Sequence, residues 1–133
     1  MRISKSVERW FPVPDDKDKA RVKVKHLRPG EIQDIIDEVM VQEIEYQQPE
    51  EGKVGKSVLR QKNDRRKDRE KTMLASVIDW EKFYDRDGKI LECNPDNVLR
   101  AVREIDGFTE FVAKCREQLA EDISTEAVAQ KKT

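Results

Sequence analysis

Two hydrophobic periods meet between residues 20 and 40, and they restrict the fold more than any other part of the chain. Ala20-Arg-Val22-Lys-Val24-Lys25 alternates apolar and basic residues. That is the pattern of a half-buried strand, with Ala20, Val22 and Val24 turned inward and Arg21, Lys23 and Lys25 in water. Ile32, Ile35, Ile36, Val39 and Met40 then fall at offsets 0, 3, 4, 7 and 8. They form one stripe of an amphipathic helix, with Gln33, Asp34, Asp37 and Glu38 off it. Pro29 suits the first turn of that helix, where a missing N–H leaves nothing unsatisfied. A strand followed at once by a helix places the chain in a mixed class.

Upstream, Ile3 to Pro14 reads as extended because Pro12 and Pro14 block a helix. Asp15 to Lys19 is a turn, so residues 3–26 form an expected β-hairpin. A lone hairpin is marginal in water and must lie on the helices or pair with another strand.

Downstream, Pro49, Gly52 and Gly55 break every repeat, and residues 47–60 read as a mobile loop. A second helix starts near Asn63, charged at first and apolar at Met73, Leu74, Val77 and Ile78, so that Ser76 to Trp80 is expected to be helical. Asp85-Arg-Asp-Gly88 is a turn with glycine available for positive φ. Lys89 to Cys93 is a short extended piece able to add to the hairpin. Asn94-Pro95-Asp96 starts a third helix: Asn94 as N-cap, Pro95 at its first position, Asp96 against the positive end. Val98, Leu99, Val102 and Ile105 line its face. Asp106-Gly107 breaks it, with Asp106 placed to cap a last helix bearing Phe108, Phe111, Val112, Cys115 and Leu119. Past Asp122 the apolar face thins, and residues 124–133 read as a frayed tail. The resulting expectation is an α+β fold, mainly α-helical with about four helices and an N-terminal β-hairpin. It is one domain over 1–123, with its helical part at 29–123.

A chain of 133 residues supports one core. Charged residues make up 41% and hydrophobic ones 36%, so that core must be economical. Basic and acidic residues nearly cancel, at 27 against 28. The bulk charge therefore signals neither nucleic acid nor an acidic solvating tail. Cys93 and Cys115 fit no zinc or thioredoxin-like spacing. With no apolar leader at Met1 to Arg9, they are expected to be reduced thiols of a cytoplasmic protein. No run approaches the ~20 apolar residues of a membrane helix.

Candidate chemistry is thin. His26, the single histidine, ends the period-two strand without a nucleophile elbow or triad pattern nearby, which favours a structural role. Asp85-x-Asp87-Gly88 has the look of a calcium loop. With Gly88 at position six, however, Phe83 and Asn94 fill the first and last ligand positions, so a plain turn fits better. Gly52-Lys-Val-Gly55-Lys56-Ser57 is two residues too short between its glycines for a phosphate loop. No catalytic, cofactor or metal residue is therefore expected, and the chain is read as a binding protein and not an enzyme.

Two features suit partner binding. Arg65, Arg66 and Arg69, within the run from Arg60 to Lys71 and interleaved with Asp64, Asp68 and Glu70, read either as the solvated start of a helix or as a docking surface for an acidic partner. Phe108, Phe111 and Val112 share a helix face that must bury against something, with Trp80 as an intramolecular candidate. Any part of such a face that a small core fails to cover becomes a groove for a partner.

Several segments taken in order resemble the tail assembly chaperones of long-tailed bacteriophages and prophages. They are Trp10-Phe-Pro-Val-Pro14, Val24-Lys-His-Leu27-x-Pro29-x-Glu31, Trp80 with Asp85-x-Asp-Gly-Lys89, Cys93-x-Pro-x-Asn97 and Gly107-Phe-x-x-Phe-Val112. The resemblance spans most of the chain and omits the stretch from about Gln47 to Arg60. It implies a small, mainly helical protein of the host cytoplasm, needed during tail assembly and absent from the finished virion. It further implies that the tape measure protein and the tail tube protein are its partners. Relatives often have a longer frameshifted form, and Gln130-Lys131-Lys132 is compatible with a slippery A-rich codon run. Two other readings stand beside this one: a minor tail or head–tail joining protein of the virion, and a small nucleic-acid-binding regulator using Arg60 to Lys71.

Overall fold

The alternating segment becomes the central strand of an antiparallel sheet. The computed structural model describes residues 1, 3, 5–47 and 56–131. These form β1 (Glu8–Pro12), β2 (Arg21–Lys25), α1 (Pro29–Val39), β3 (Met40–Gln47), β4 (Lys56–Asn63), α2 (Arg65–Ser76), β5 (Val77–Glu81), α3 (Pro95–Glu104) and α4 (Phe108–Lys131). Four helices and an N-terminal β-hairpin make this the expected α+β class. The main sheet has the order β1-β2-β5. Ala20, Val22 and Val24 point inward and are buried, whereas Arg21 is exposed. On the outer side the Arg21 guanidinium lies over Trp10 at 5.0 Å from the ring centroid and pairs with Glu81.

β5 corrects the expectation of a helix through Trp80. Helix α2 stops at Ser76, and the Val77 N–H closes its last turn on the Met73 carbonyl. The chain then pairs with β2, Val22 opposite Trp80 and Val24 opposite Val77, with a shift in register between Lys23 and Val24. Ile78 falls at this bulge and is left 38% exposed. The β-branched pair Val77-Ile78 tolerates either state, and a free edge on β2 decides for strand. The segment expected to join the hairpin, Lys89 to Cys93, does not do so. It folds back on the residues after β5, through a Tyr84–Ile90 bridge and the Leu91 N–H to the Phe83 carbonyl at 2.8 Å.

Helices α2, α3 and α4 cover the inward face of the sheet. Val98 and Ala101 of α3, Val112, Cys115 and Leu119 of α4 and Met73 of α2 join Val22, Val24, Val77 and Trp80 in one buried cluster. The start of α3 is as expected: the Asn94 side chain accepts the Asn97 N–H at 2.9 Å, and Pro95 follows. Asn94→Ala is expected to lower the unfolding free energy by about 1 kcal/mol, read as a shift in urea midpoint at constant slope. The turn into α4 is made by Gly107, whose φ of 79° suits glycine alone without strain. The Asp106 carboxylate was expected to cap α4, yet it makes no hydrogen bond among the described residues. The helix continues to Lys131, past the point where the sequence suggested fraying from 124.

The expected loop at 47–60 is corrected in part. Strands β3 and β4 pair antiparallel from Met40 opposite Asn63 to Gln47 opposite Lys56, so residues 47 and 56–60 belong to a second, two-stranded sheet. Residues 48–55 lie outside the described residues. In this ribbon the register sets Glu43 opposite Arg60 and Ile44 opposite Leu59.

Candidate functional site

Three surfaces follow from the residues singled out above. The first is the aromatic elbow. Trp80 and Phe83 stack with centroids 4.3 Å apart and an interplanar angle of 3°. Phe108 meets both edge-on, at 6.1 and 5.9 Å. The buried indole N–H donates to the Leu91 carbonyl at 2.7 Å, which satisfies the only polar atom of that ring. Trp80 is therefore the intramolecular partner that the Phe108 face required. Phe108 and Val112, expected to contact a partner, are 4% and 0% exposed and belong to the core. Phe111 is half-buried. Together with Phe108 it lines a cleft of about 200 Å³ between the β1–β2 turn and the α3–α4 junction.

The second surface is the basic start of α2. Arg65, Arg66 and Arg69 are all exposed. Their run is partly neutralised: Arg66 pairs with Glu70 at 3.3 Å, and the same carboxylate takes Arg103 of α3 at 2.9 Å. Asp64 is spent as the N-cap, accepting the Lys67 N–H at 3.1 Å. The basic residues and the aromatic ones thus lie on separate elements and do not form one site.

The third surface carried the clearest pattern in the sequence, although its exposure was not foreseen. Along α1 only Val39 is fully buried. Ile32, Ile36 and Met40 are 41%, 43% and 38% exposed. The four-residue spacing puts Ile32 and Ile36 side by side on one arc of the helix, and Met40 follows as its C-cap at the start of β3. Acidic residues surround them. Glu31 is held by Lys25 at 2.7 Å and Glu38 by Lys71 at 2.9 Å, while Asp37 accepts from Gln33 at 2.9 Å. One signal was available in advance: the chain carries more apolar helix faces than its small core can cover.

Paired carboxylates set the pH response. Lys25 holds Glu31 below its ordinary value of 4.5, Arg103 and then Arg66 do so for Glu70, and Lys71 does so for Glu38. Groups with depressed folded-state values contribute their stability above the ordinary carboxylate range and lose it as pH falls through the folded value. The melting temperature is therefore expected to be level near neutrality and to drop progressively below about pH 4.5, as followed by circular dichroism. A flat profile down to pH 3 would contradict these pairings.

Burial pushes both thiols up, Cys93 and Cys115 each to about 11, with Asp79 adding to the shift at Cys93. Both are free thiols, protonated near neutral pH. His26 sits at the end of β2, its backbone N–H donating to the Val7 carbonyl at 2.9 Å. The Asp85 carboxylate accepts the N–H groups of Asp87 and Lys89, both at 2.9 Å, and Gly88 takes the positive φ of 78°. This loop is thus closed by its own backbone. Among the described residues no three His, Cys, Asp or Glu side chains are grouped to hold a metal ion. Nor is any helix among them long and apolar enough to cross a membrane. No family model, curated protein or solved structure matches the chain.

Proposed function

We propose that this protein is a tail assembly chaperone of a long-tailed bacteriophage or prophage. It acts in the host cytoplasm without catalysing a reaction. The reading joins the resemblance carried by Trp10 to Pro14, Val24 to Glu31, Cys93 to Asn97 and Gly107 to Val112 to one structural observation. That observation is the uncovered row of Ile32 and Ile36 on α1, with Met40 just past its end. An apolar helix row in a highly charged protein suits the job of shielding the hydrophobic face of a helical client. The charge on the rest of the chain opposes aggregation of the complex. The client in this reading is the tape measure protein, around which tail tube subunits are then recruited.

Co-expression with the tape measure protein of the same phage is expected to increase the soluble fraction of that protein and to co-purify the two. No gain in solubility together with no co-purification would reject the reading. Recovery of this chain in purified virions would favour the alternative of a minor tail or head–tail joining component.

A further inference from the structure

The cleft at the aromatic elbow has a chemistry of its own. Its base is formed by buried Phe83 and Phe108 with half-buried Phe111, and exposed Tyr84 and Ile105 stand at its lip. At about 200 Å³ it is smaller than the ~300–1,000 Å³ typical of pockets for whole small molecules. It suits one bulky side chain of a peptide, the kind of anchor that dominates protein recognition.

The ionisable lining is biased. It comprises Asp16, Asp18 and Asp106 against a single cation, Lys82. Asp16 is engaged, accepting the Ala20 N–H at 2.9 Å and so holding the β1–β2 turn. Asp18 and Asp106 are exposed, and neither has a hydrogen bond or ion pair among the described residues. A seated apolar side chain would therefore have two uncompensated carboxylates beside it, which favours a neighbouring cation and disfavours a neighbouring carboxylate or phosphate.

The walls are already braced. Val13 N–H reaches the Ala20 carbonyl at 2.9 Å, and Leu91 N–H reaches the Phe83 carbonyl at 2.8 Å. A braced site loses little entropy on binding.

We propose that this cleft docks an extended peptide segment in which a leucine- or phenylalanine-sized residue stands next to a lysine or arginine. The apolar side chain lies against Phe111, and the cation faces Asp18 and Asp106. The proposal rests on the reading that the protein works by holding a client chain. It adds a second contact, separate from α1, with a stated preference.

The test uses the full chain and three short synthetic peptides of glycine and serine around a central pair: Leu-Arg, Leu-Glu or Ser-Arg. Titration followed by amide chemical shifts is expected to move Tyr84, Ile105, Gly107 and Phe111 with the Leu-Arg peptide. The other two peptides are expected to bind at least about fivefold more weakly at low salt, and the Asp18→Asn/Asp106→Asn variant to lose a similar factor for Leu-Arg. Both substitutions are at exposed positions, so the variant retains the fold, which its spectrum checks directly. Equal binding of Leu-Arg and Leu-Glu, or shifts centred elsewhere, would overturn the proposal. So would a variant that binds as the parent does. An Ile32→Gln/Ile36→Gln variant is expected to bind the peptide normally, so a failure of the cleft and a failure of client capture by α1 are read separately.

Discussion

Replacing Trp80 with alanine is expected to lower the unfolding free energy by about 3–5 kcal/mol. The side chain is 6% exposed, stacks on Phe83, meets Phe108 edge-on and donates to the Leu91 carbonyl. Its removal leaves a cavity where β5, the segment after it and the start of α4 converge. It also removes the indole donor from the partly buried Leu91 carbonyl. Against a typical domain stability of about 5–15 kcal/mol, a loss of this size takes a fifth of the total or more. Trp80→Phe separates the two contributions. It keeps an aromatic ring against Phe83 but not the N–H, and is expected to cost about 1–3 kcal/mol. Urea unfolding followed by far-ultraviolet circular dichroism measures both, with the midpoint moving and the slope unchanged. A Trp80→Ala protein within 1 kcal/mol of the parent would show that the aromatic elbow does not hold the fold together.

The second large effect concerns binding. If the proposed reading holds, Ile32→Gln with Ile36→Gln is expected to weaken retention of the tape measure client about ten- to fiftyfold. The size follows from exposure. Ile32 and Ile36 are 41% and 43% exposed, so only some two fifths of each side chain remains to be buried by a client. At about 1.5–3 kcal/mol for burying a whole isoleucine, each contributes about 0.6–1.2 kcal/mol. Glutamine is a good helix former and adds no charge, but the buried three fifths of each isoleucine is lost, so the fold is expected to lose up to about 0.9–1.8 kcal/mol per site, which urea unfolding of the variant reads separately. Pull-down from co-expressing cells with quantitative recovery reads the effect. Unchanged client recovery would remove α1 from the docking surface.

Local features of the chain were legible because their causes are local. Alternation at Ala20 to Lys25 needs only a surface with one wet side. Asn94 finds the Asn97 N–H because the first turn of a helix has spare donors wherever it forms. Pro29 enters α1 at its start for the same reason. The misreadings share a different cause. Met73, Leu74, Val77 and Ile78 continue a helical stripe as readily as they begin a strand. The choice was made by β2, more than fifty residues upstream, whose open edge accepts Val77 and Trp80. Residues 56–60 looked like loop because the partner that makes them a strand, the stretch up to Gln47, lies across the break at Pro49 to Gly55.

The candidate surfaces divide in the same way. Phe108, Phe111 and Val112 were correctly grouped on one helix face, as the spacing requires. Which of them would reach a partner was not in the spacing. Docking of α4 on the sheet took Phe108 and Val112 into the core and left Phe111 at the edge of a cleft. The row on α1 shows the converse, a plain amphipathic pattern that the fold leaves partly uncovered.

The order of residues alone determined where β2, α1, α3 and α4 begin, which residues share a face, and that charge would coat most of the exterior. These depend on backbone dihedrals, capping and side-chain period within a few residues. Tertiary structure alone decided which apolar faces are sealed and which stay open. Sealing a face requires an opposing surface brought from elsewhere in the chain. A core of this size covers the faces of α3 and α4 and leaves Ile32, Ile36 and Met40 to the solvent.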